Sequence, residues 1–264
     1  SDYHPGEKSR QISIHSTPLH MEWMDKKFNM IDTPGYSDFI GEALGALSVV
    51  DMAVITIHAV NGVEVCTETM WNHASQLGIP KMLVVNGLDR EHTKFDSILE
   101  QARKRFGNNV FPMQLPVNEG PGYNQNVDVL RTELISYQAD GSGKMTEGEL
   151  PEELKEKVKG LHEELIEYVA ESDDTLLEKF FEQGSLSEEE MRNGIHRAIQ
   201  DQTFIPLFCT SATSNIGVAR VCDFISKYGS SPDDRKTVTA QDDQGNDVDV
   251  SLDGSETVLQ IFKT

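Results

Sequence analysis

Cysteine is scarce in this sequence, and its three cysteines, Cys66, Cys209 and Cys222, lie far apart. Their spacing matches neither a zinc site nor a disulfide framework, and it favours reduced thiols in a cytoplasmic protein. Apolar runs of transmembrane length are also missing, which argues against a membrane-spanning helix. The first ten residues, SDYHPGEKSR, lack the apolar segment of a secretory signal. These absences together predict a cytoplasmic protein without a membrane segment.

Basic residues are few: 23 lysines and arginines stand against 44 acidic residues, which gives a formal net charge of −21. This balance argues against the whole chain being a nucleic-acid binder. Much of the charge is concentrated in residues 147–190, which hold 16 acidic and 4 basic side chains, a net of −12. We expect this segment to belong to a separate unit with an acidic surface, although a plain solvated face also fits the charge pattern.

Apolar residues make up 38% of the chain, enough for a hydrophobic core, and they recur in blocks of strand and helix length. The predicted strands are 12–23 and 28–31, which form a hairpin, and 52–57, 81–85, 110–115 and 204–209. The predicted helices are 38–50, 62–77, 91–106 and 218–228. Strands that alternate with helices of this length indicate an α/β fold with a mostly parallel sheet flanked by helices.

The alternation stops after Pro116, and we interpret residues 117–202 as an insertion. Strands are predicted within 127–137, followed by a turn-rich connection and three helices. The first helix opens with Pro151 in its first turn, and the third with the capping box Ser187-x-x-Glu190. The predicted division is 1–116 and 203–228 for the α/β domain, 117–202 for an α-helical insertion, and 229–264 for a linker and the start of another domain.

Polar clusters follow three of the apolar strands. They are Asp32-Thr33-Pro34-Gly35, Asn86-Gly87-Leu88-Asp89 and Ser211-Ala212-Thr213. Ligands of parallel sheets bind beyond the carboxyl ends of the strands, so we expect all three clusters at one edge of the sheet. Each cluster alone is more simply explained as a turn after a strand. Their order and their placement after successive strands make the combination specific.

Each cluster has a chemistry that suits a nucleotide. Asp32 at a strand end can hold Mg²⁺ through water, and Gly35 allows a backbone N–H to approach a phosphate. Asp89 can accept two hydrogen bonds from the N1–H and N2–H₂ groups of guanine, which adenine cannot offer. Asn86 can tie neighbouring loops together, and the N–H of Ala212 can donate to guanine O6.

These motifs resemble the G domain of the elongation factor G family of translational GTPases. DTPGYSDF is similar to the switch II motif, EKSRQISI (7–14) to part of switch I, NGLD to the NKxD guanine motif, and TSAT to the SA motif. The helical stretch that begins at Pro151 resembles the insertion of elongation factor G. The closing ETVLQIFKT resembles the first strand of the β-barrel domain that follows in that family.

The resemblance implies GTP or GDP and Mg²⁺ as cofactors, and GTP hydrolysis that drives tRNA and mRNA movement in protein synthesis. It implies a monomer whose acidic insertion contacts stalk proteins of the ribosome. The implied metal ligands are Ser13 and, through water, Asp32. The implied nucleotide-binding residues are Asp32, Thr33, Pro34, Gly35, Tyr36, Asn86, Gly87, Leu88, Asp89, Ser211 and Ala212.

The sequence departs from the family pattern in three places. It contains no G-x-x-x-x-G-K-[ST], so we expect a fold without its first strand and P-loop, truncated before switch I, and inactive as this chain alone. Tyr36 stands where the family has the histidine that positions the attacking water, which predicts slow hydrolysis. Gly87 stands where the guanine motif has lysine, which predicts weaker nucleotide affinity.

Two other functions fit the same residues. One is that of another translational GTPase, such as a release factor or a ribosomal protection protein. The other is that of a non-catalytic or weakly hydrolysing paralogue that binds the ribosome, which the departures at Tyr36 and Gly87 favour.

Overall fold

The computed structural model describes residues 2–242, 244–254 and 259–263. Strands and helices alternate along most of this length. The α-helices are α1 (Pro5–Arg10), α2 (Ile40–Leu47), α3 (Val65–Gln76), α4 (Phe95–Phe106), α5 (Glu152–Glu171), α6 (Asp174–Gln183), α7 (Glu188–Gln200) and α8 (Val218–Tyr228). The strands are β1 (Thr17–Trp23), β2 (Lys26–Asp32), β3 (Ala53–His58), β4 (Lys81–Asn86), β5 (Val110–Pro112), β6 (Gln114–Pro116), β7 (Gln125–Asp128), β8 (Glu133–Tyr137), β9 (Met145–Gly148), β10 (Ile205–Thr210), β11 (Thr237–Gln241) and β12 (Asp247–Ser251).

A parallel sheet with strand order β3-β4-β10-β5 forms the centre of the chain. Its middle strands are buried on both faces, since every residue of β10 and all but the last residue of β4 are buried. Continuous burial of this kind is typical of a parallel sheet that is covered by helices. Helix α3 packs against β3, and α4 packs against β5. The predicted α/β fold with a parallel sheet flanked by helices is confirmed.

The predicted hairpin is present, and it forms a separate two-stranded sheet from β1 and β2. Its turn is Met24-Asp25 alone, with φ values of +49° and +58°, the left-handed geometry of tight two-residue turns between twisted strands. The prediction of a strand over 12–23 is wrong in its first part, because β1 begins at Thr17.

The chain leaves the parallel sheet at Met113 and enters an antiparallel sheet of order β6-β7-β8-β9. The single strand predicted at 110–115 is therefore wrong. Strand β5 pairs with β10, whereas β6, one residue further on, pairs with β7. Strand β9 lies where the sequence predicts only a turn-rich connection. Three helices follow, as predicted, and the Ser187–Glu190 capping box opens α7.

Other differences concern the ends of elements. The helix predicted at 38–50 is a 3₁₀ turn, Ser37–Phe39, followed by the shorter α2. Pro151 is the N-cap of α5 and not part of its first turn. Helix α1 has no apolar periodicity from which it could be predicted. A capping box of His4 and Glu7 begins it.

The last described segments differ from the polar loop and single strand that the sequence predicts. Strands β11 and β12 form an antiparallel hairpin. The strand predicted for ETVLQIFKT falls partly outside the described residues, and its described part, 259–263, contains no strand. Lys263 Nζ lies 2.9 Å from Glu42 Oε2, which places this segment against α2. In the part of the chain that the structure describes, no helix has both the length and the apolar character to cross a membrane.

One hydrophobic cluster extends from the parallel sheet into the helices that follow the second sheet. Tyr168 of α5 packs its ring against both Phe111 of β5 and Phe204 before β10, with centroid distances of 5.9 Å to each. Val158, Leu165 and other residues of α5 are buried in the same cluster. The parallel sheet and the helices therefore share one core.

Lys81 is an exception in this core, because it is a lysine only 1% exposed at the start of β4. Its ammonium donates to the carbonyl of Ile79 at 3.3 Å and to the side-chain oxygen of Gln202, and lies 5.1 Å from the ring centroid of Trp71. These partners are neutral, so burial lowers the pKa of Lys81 to about 8.

We expect Lys81 to make a contribution to the free energy of unfolding that increases as the pH rises from about 8 to 10.5. Over that range the unfolded chain holds a proton on Lys81 that the folded chain has already released. Lys81→Met keeps the apolar stem and removes the ammonium, so the rise should shrink by about 3 kcal/mol. Urea unfolding at several pH values measures it. Lys159→Met, at a lysine whose side chain is 69% exposed, is the control, and equal pH dependence in both variants would contradict the assignment.

Candidate guanine-nucleotide site

An open cleft of about 1210 Å³ lies between the hairpin and the edge of the parallel sheet. One wall contains the edge strand β3, and the other contains Ile31 of β2. The predicted site residues in its lining are Ser13, Thr33, Pro34, Gly35, Tyr36 and Asn86. The others lie outside this lining: Asp32 ends β2, and Gly87, Leu88, Asp89, Ser211 and Ala212 follow β4 and β10. Asn86 thus belongs to the cleft lining and also directly precedes the residues that follow β4.

Asn86 joins the ends of two neighbouring strands. Its position in β4 is paired with Thr210 of β10. The side-chain oxygen of Asn86 accepts from the N–H of Ala212 at 2.9 Å and from the Thr210 hydroxyl at 3.2 Å. The loops after β4 and β10 are therefore held side by side before any ligand is present.

Asp89 has a buried carboxylate oxygen that nothing in the described chain satisfies. Within residues 2–242, 244–254 and 259–263, its buried Oδ1 has no hydrogen-bond partner, and Oδ2 accepts a 3.4 Å bond from the hydroxyl of Ser214. Buried acceptors in proteins are nearly always paired, because an unpaired one loses its hydration without compensation. This oxygen is consequently placed to accept from a ligand that carries N–H groups.

Gly87 adopts a conformation that favours glycine, with φ +87°. Its N–H donates to the carbonyl oxygen of Thr210 at 3.0 Å, which ties the turn to β10. A lysine at this position would pay about 1–2 kcal/mol for the left-handed backbone. Gly87→Lys should therefore lower the free energy of unfolding by about that amount, whatever the lysine adds to nucleotide affinity.

The segment after β2 lies at the rim of the cleft. Tyr36 is 57% exposed, precedes the 3₁₀ turn and lines the cleft. Gly35 has nothing within 4 Å of the place where a Cβ would stand, and its φ lies outside the left-handed region. The fold itself does not require a glycine here, in contrast to Gly87.

The segment that carries Ser13 is organised by a carboxylate that the sequence analysis did not select. Glu7 accepts backbone N–H bonds from residues on both sides of it, at 2.9–3.2 Å, and these hydrogen bonds lower its pKa to about 2. The donors are Tyr3, His4, Ile14 and His15. Ser13 itself donates its hydroxyl to Asp2 at 2.8 Å.

The chemistry of these groups suits Mg²⁺, although the described residues contain no group of three or more metal-ligating His, Cys, Asp or Glu side chains. Mg²⁺ prefers oxygen ligands and commonly takes one or two from the protein, the rest from waters and substrate phosphates. Ser13, whose hydroxyl lies beside the Asp2 carboxylate, and Asp32, at the end of β2, each offer an oxygen of that kind.

Comparisons with known proteins identify the family of this chain. Residues 1–231 match the Elongation factor Tu GTP binding domain. The chain belongs to this family. An elongation factor G from Salinibacter ruber (strain DSM 13855 / M31) is 34% identical over 252 residues, which cover 95% of this chain and 36% of that protein. A crystal structure of a protein from Thermus thermophilus has a TM-score of 0.83 at 31% identity, and covers 89% of this chain and 35% of that one.

The chain is thus the G domain of a translational GTPase, similar to elongation factor G, and it spans about a third of the length of these two relatives. Members of this family are GTPases that bind guanine nucleotides. Residues outside the predicted set also contact the predicted guanine motif, among them Ser214, through Asp89, and Gly120, whose N–H donates to Leu88 O at 2.7 Å. Ser214 could be suspected from its nearness to the SA motif, whereas the sequence carries no signal for Gly120.

Proposed function

We propose that this G domain binds and hydrolyses GTP in a ribosomal translocase of the elongation factor G type, which moves tRNA and mRNA in protein synthesis. The observation that carries the proposal is the buried Oδ1 of Asp89, which has no hydrogen-bond partner among the described residues and lies beside the linked ends of β4 and β10. The name of the Salinibacter ruber relative, elongation factor G, supports the choice among translational GTPases.

In this proposal the base is read by the residues after β4 and β10. Asp89 accepts from guanine N1–H and N2–H₂. The N–H of Ala212 donates to guanine O6. It also donates to the side-chain oxygen of Asn86, so the two oxygens would share one N–H. The base-site residues are Asn86, Gly87, Leu88, Asp89, Ser211 and Ala212.

The phosphate end of the nucleotide lies in the cleft between β2 and β3. Thr33, Pro34, Gly35 and Tyr36 face it from the segment after β2, and the open space at Gly35 allows a phosphate oxygen to approach its N–H. Ser13 and, through water, Asp32 hold Mg²⁺, which neutralises phosphate charge when bound. The sequence has no G-x-x-x-x-G-K-[ST], so by itself this chain is expected to bind weakly and not to hydrolyse GTP.

The proposed organisation has four segments, of which the first and third form the G domain. The G domain comprises 1–116 and 203–228, the insertion 117–202, and the linker with the start of a β-barrel domain 229–264. The acidic surface of α5, α6 and α7 contacts stalk proteins of the large ribosomal subunit. We expect a cytoplasmic monomer.

A second function stays open. Tyr36 cannot become a cation near neutral pH as a histidine can, and Gly87 lacks the lysine of the usual guanine motif. Both residues favour a ribosome-binding paralogue that hydrolyses GTP weakly or not at all. Another translational GTPase, such as a release factor or a ribosomal protection protein, is a further alternative.

Nucleotide binding tests the central proposal. GDP and ADP are titrated into the full-length protein with Mg²⁺, and heat of binding is measured. GDP should bind at least ten-fold more tightly than ADP, since adenine has no N–H donor pair that matches Asp89. Equal affinities for the two nucleotides would refute the guanine site.

Tyr36→His tests the choice between an active GTPase and a weak one. In the full-length protein with ribosomes, the substitution should raise the GTP hydrolysis rate about ten-fold, because an imidazole can carry positive charge near the attacking water. Tyr36→Phe, which removes only the hydroxyl, is the matched comparison and should lower the rate. The prediction would be contradicted if wild type hydrolysed GTP on ribosomes as fast as a histidine-bearing factor and Tyr36→His left that rate unchanged.

A further inference from the structure

We propose that residues 118–123, the loop at the start of the insertion, position Asp89 for base recognition, and that Glu119 is the positioning residue that anchors it. This inference rests on the proposed function, because it assigns the loop a part in discriminating guanine. It concerns a contact between two segments that are distant in the sequence.

Glu119 caps a helix that has no cap of its own. The N-cap residue of α4 is Lys94, whose side chain makes no capping hydrogen bond. Instead, the N–H of Phe95 donates to Glu119 Oε2 at 2.7 Å. A carboxylate at this end of a helix satisfies an open N–H and lies at the positive end of the helix dipole. Residues 90–94 join Asp89 to α4, so Glu119 fixes the downstream end of the Asp89 loop.

Gly120 holds the same loop directly at Asp89. Its N–H donates at 2.7 Å to the carbonyl oxygen of Leu88, which belongs to the peptide bond between Leu88 and Asp89. From the other side, the N–H of Leu88 donates to Thr210 O at 3.2 Å. The backbone from which the Asp89 side chain projects is therefore held by the insertion loop and by β10 together.

The insertion loop is itself anchored in the interior. Tyr123 is 2% exposed, and its hydroxyl donates to the side-chain oxygen of Asn126. Asn126, with no exposed surface, donates to the carbonyl of Cys209 in β10 at 3.2 Å. Asn118 closes the loop by donating to Gly122 O at 3.0 Å. The loop thus contacts the segment after β4 through Gly120, and it is linked to β10 through Tyr123 and Asn126.

A fixed carboxylate matters most where two hydrogen bonds must form at once. Guanine offers Asp89 both N1–H and N2–H₂, whereas hypoxanthine offers N1–H alone. Loosening the loop should weaken the two-bond contact more than the single bond, because bidentate contacts demand the stricter geometry. The measurable consequence is a lower preference for GDP over IDP.

The experiment uses Glu119→Ala and Glu119→Gln, whose amide oxygen can still accept from Phe95. Ser187→Ala is the control, since it removes the side-chain cap of α7, which accepts from Glu190 N–H, at a helix outside the base site. Amide hydrogen exchange is first measured without nucleotide. In Glu119→Ala, amides of 88–98 should exchange about five-fold faster than in wild type, the equivalent of one lost cap. Glu119→Gln and Ser187→Ala should leave these amides close to wild type.

The second measurement is the ratio of IDP to GDP dissociation constants in the full-length protein. We expect Glu119→Ala to lower this ratio about three- to ten-fold, with Glu119→Gln largely restoring it and Ser187→Ala leaving it unchanged. Unchanged exchange at 88–98, or a ratio that Glu119→Ala does not lower, would overturn the inference. If wild type bound GDP no better than ADP, the proposed function would fail, and hydrogen exchange would still decide whether Glu119 anchors the loop.

Discussion

Asp89→Ala should weaken GDP binding by at least about 100-fold and at the same time leave the ligand-free protein as stable as wild type or more stable. The loss follows because two hydrogen bonds to a charged acceptor each contribute about 1.5–3 kcal/mol. The stability result follows because the substitution removes a buried oxygen that has no partner in the described chain. Calorimetric titration with GDP and urea unfolding without nucleotide measure the two effects.

Glu163→Ala provides a matched control for Asp89→Ala. It removes the same unit of negative charge from a side chain that is 63% exposed on α5. We expect no change in GDP affinity there. A similar loss in both variants would point to net charge as the cause, and an Asp89→Ala protein with wild-type affinity would show that the carboxylate does not contact the base.

Gly217→Ala should lower the free energy of unfolding by about 4 kcal/mol. Gly217 has φ +79°, and a Cβ there would stand 2.2 Å from the carbonyl oxygen of Cys209 and 3.3 Å from Thr210 Cα. Left-handed backbone costs an alanine about 1–2 kcal/mol, and forcing atoms into a packed interior costs about 1–3 kcal/mol more. The obstructing atoms belong to β10, which is buried along its whole length and cannot move aside cheaply.

Gly141→Ala separates the two causes. Gly141 has a similar φ, +73°, but nothing lies within 4 Å of its Cβ position. Only the backbone cost applies, so we expect a loss of about 1 kcal/mol. Chemical unfolding of both variants under identical conditions gives the comparison, and equal losses would show that the contact with Cys209 is relieved by local movement.

The parallel sheet could be predicted because its strands are continuous apolar runs separated by helices. The change of sheet at Met113 could not, because β5 and β6 lie one residue apart in a short, mostly apolar stretch, and only their pairing partners distinguish them. Strand β9, with the sequence MTEG, has three exposed residues and gives no apolar signal. The strands β5, β6 and β9 are defined by the strands they pair with, and local composition carries no information about that pairing.

The candidate site shows the same division. The motifs around Asp32, Asn86 and Ser211 stand out by their order after successive strands. Glu119 does not, since its partner Phe95 lies 24 residues away and the contact depends on the path of the insertion. The positive φ of Gly87 is likewise a property of the folded turn, and it means that a lysine there would have a strained backbone.

The position of β10 has a consequence for how the protein is made. This strand lies between β4 and β5 in the sheet, but it follows both in the sequence, after the whole second sheet and α5, α6 and α7. During synthesis, β4 therefore has one unpaired edge, and β5 has no partner strand in this sheet, until β10 has been made. Such late, non-local pairing slows folding and favours aggregation. A nascent chain that stops before Ile205 would lack the strand that joins them.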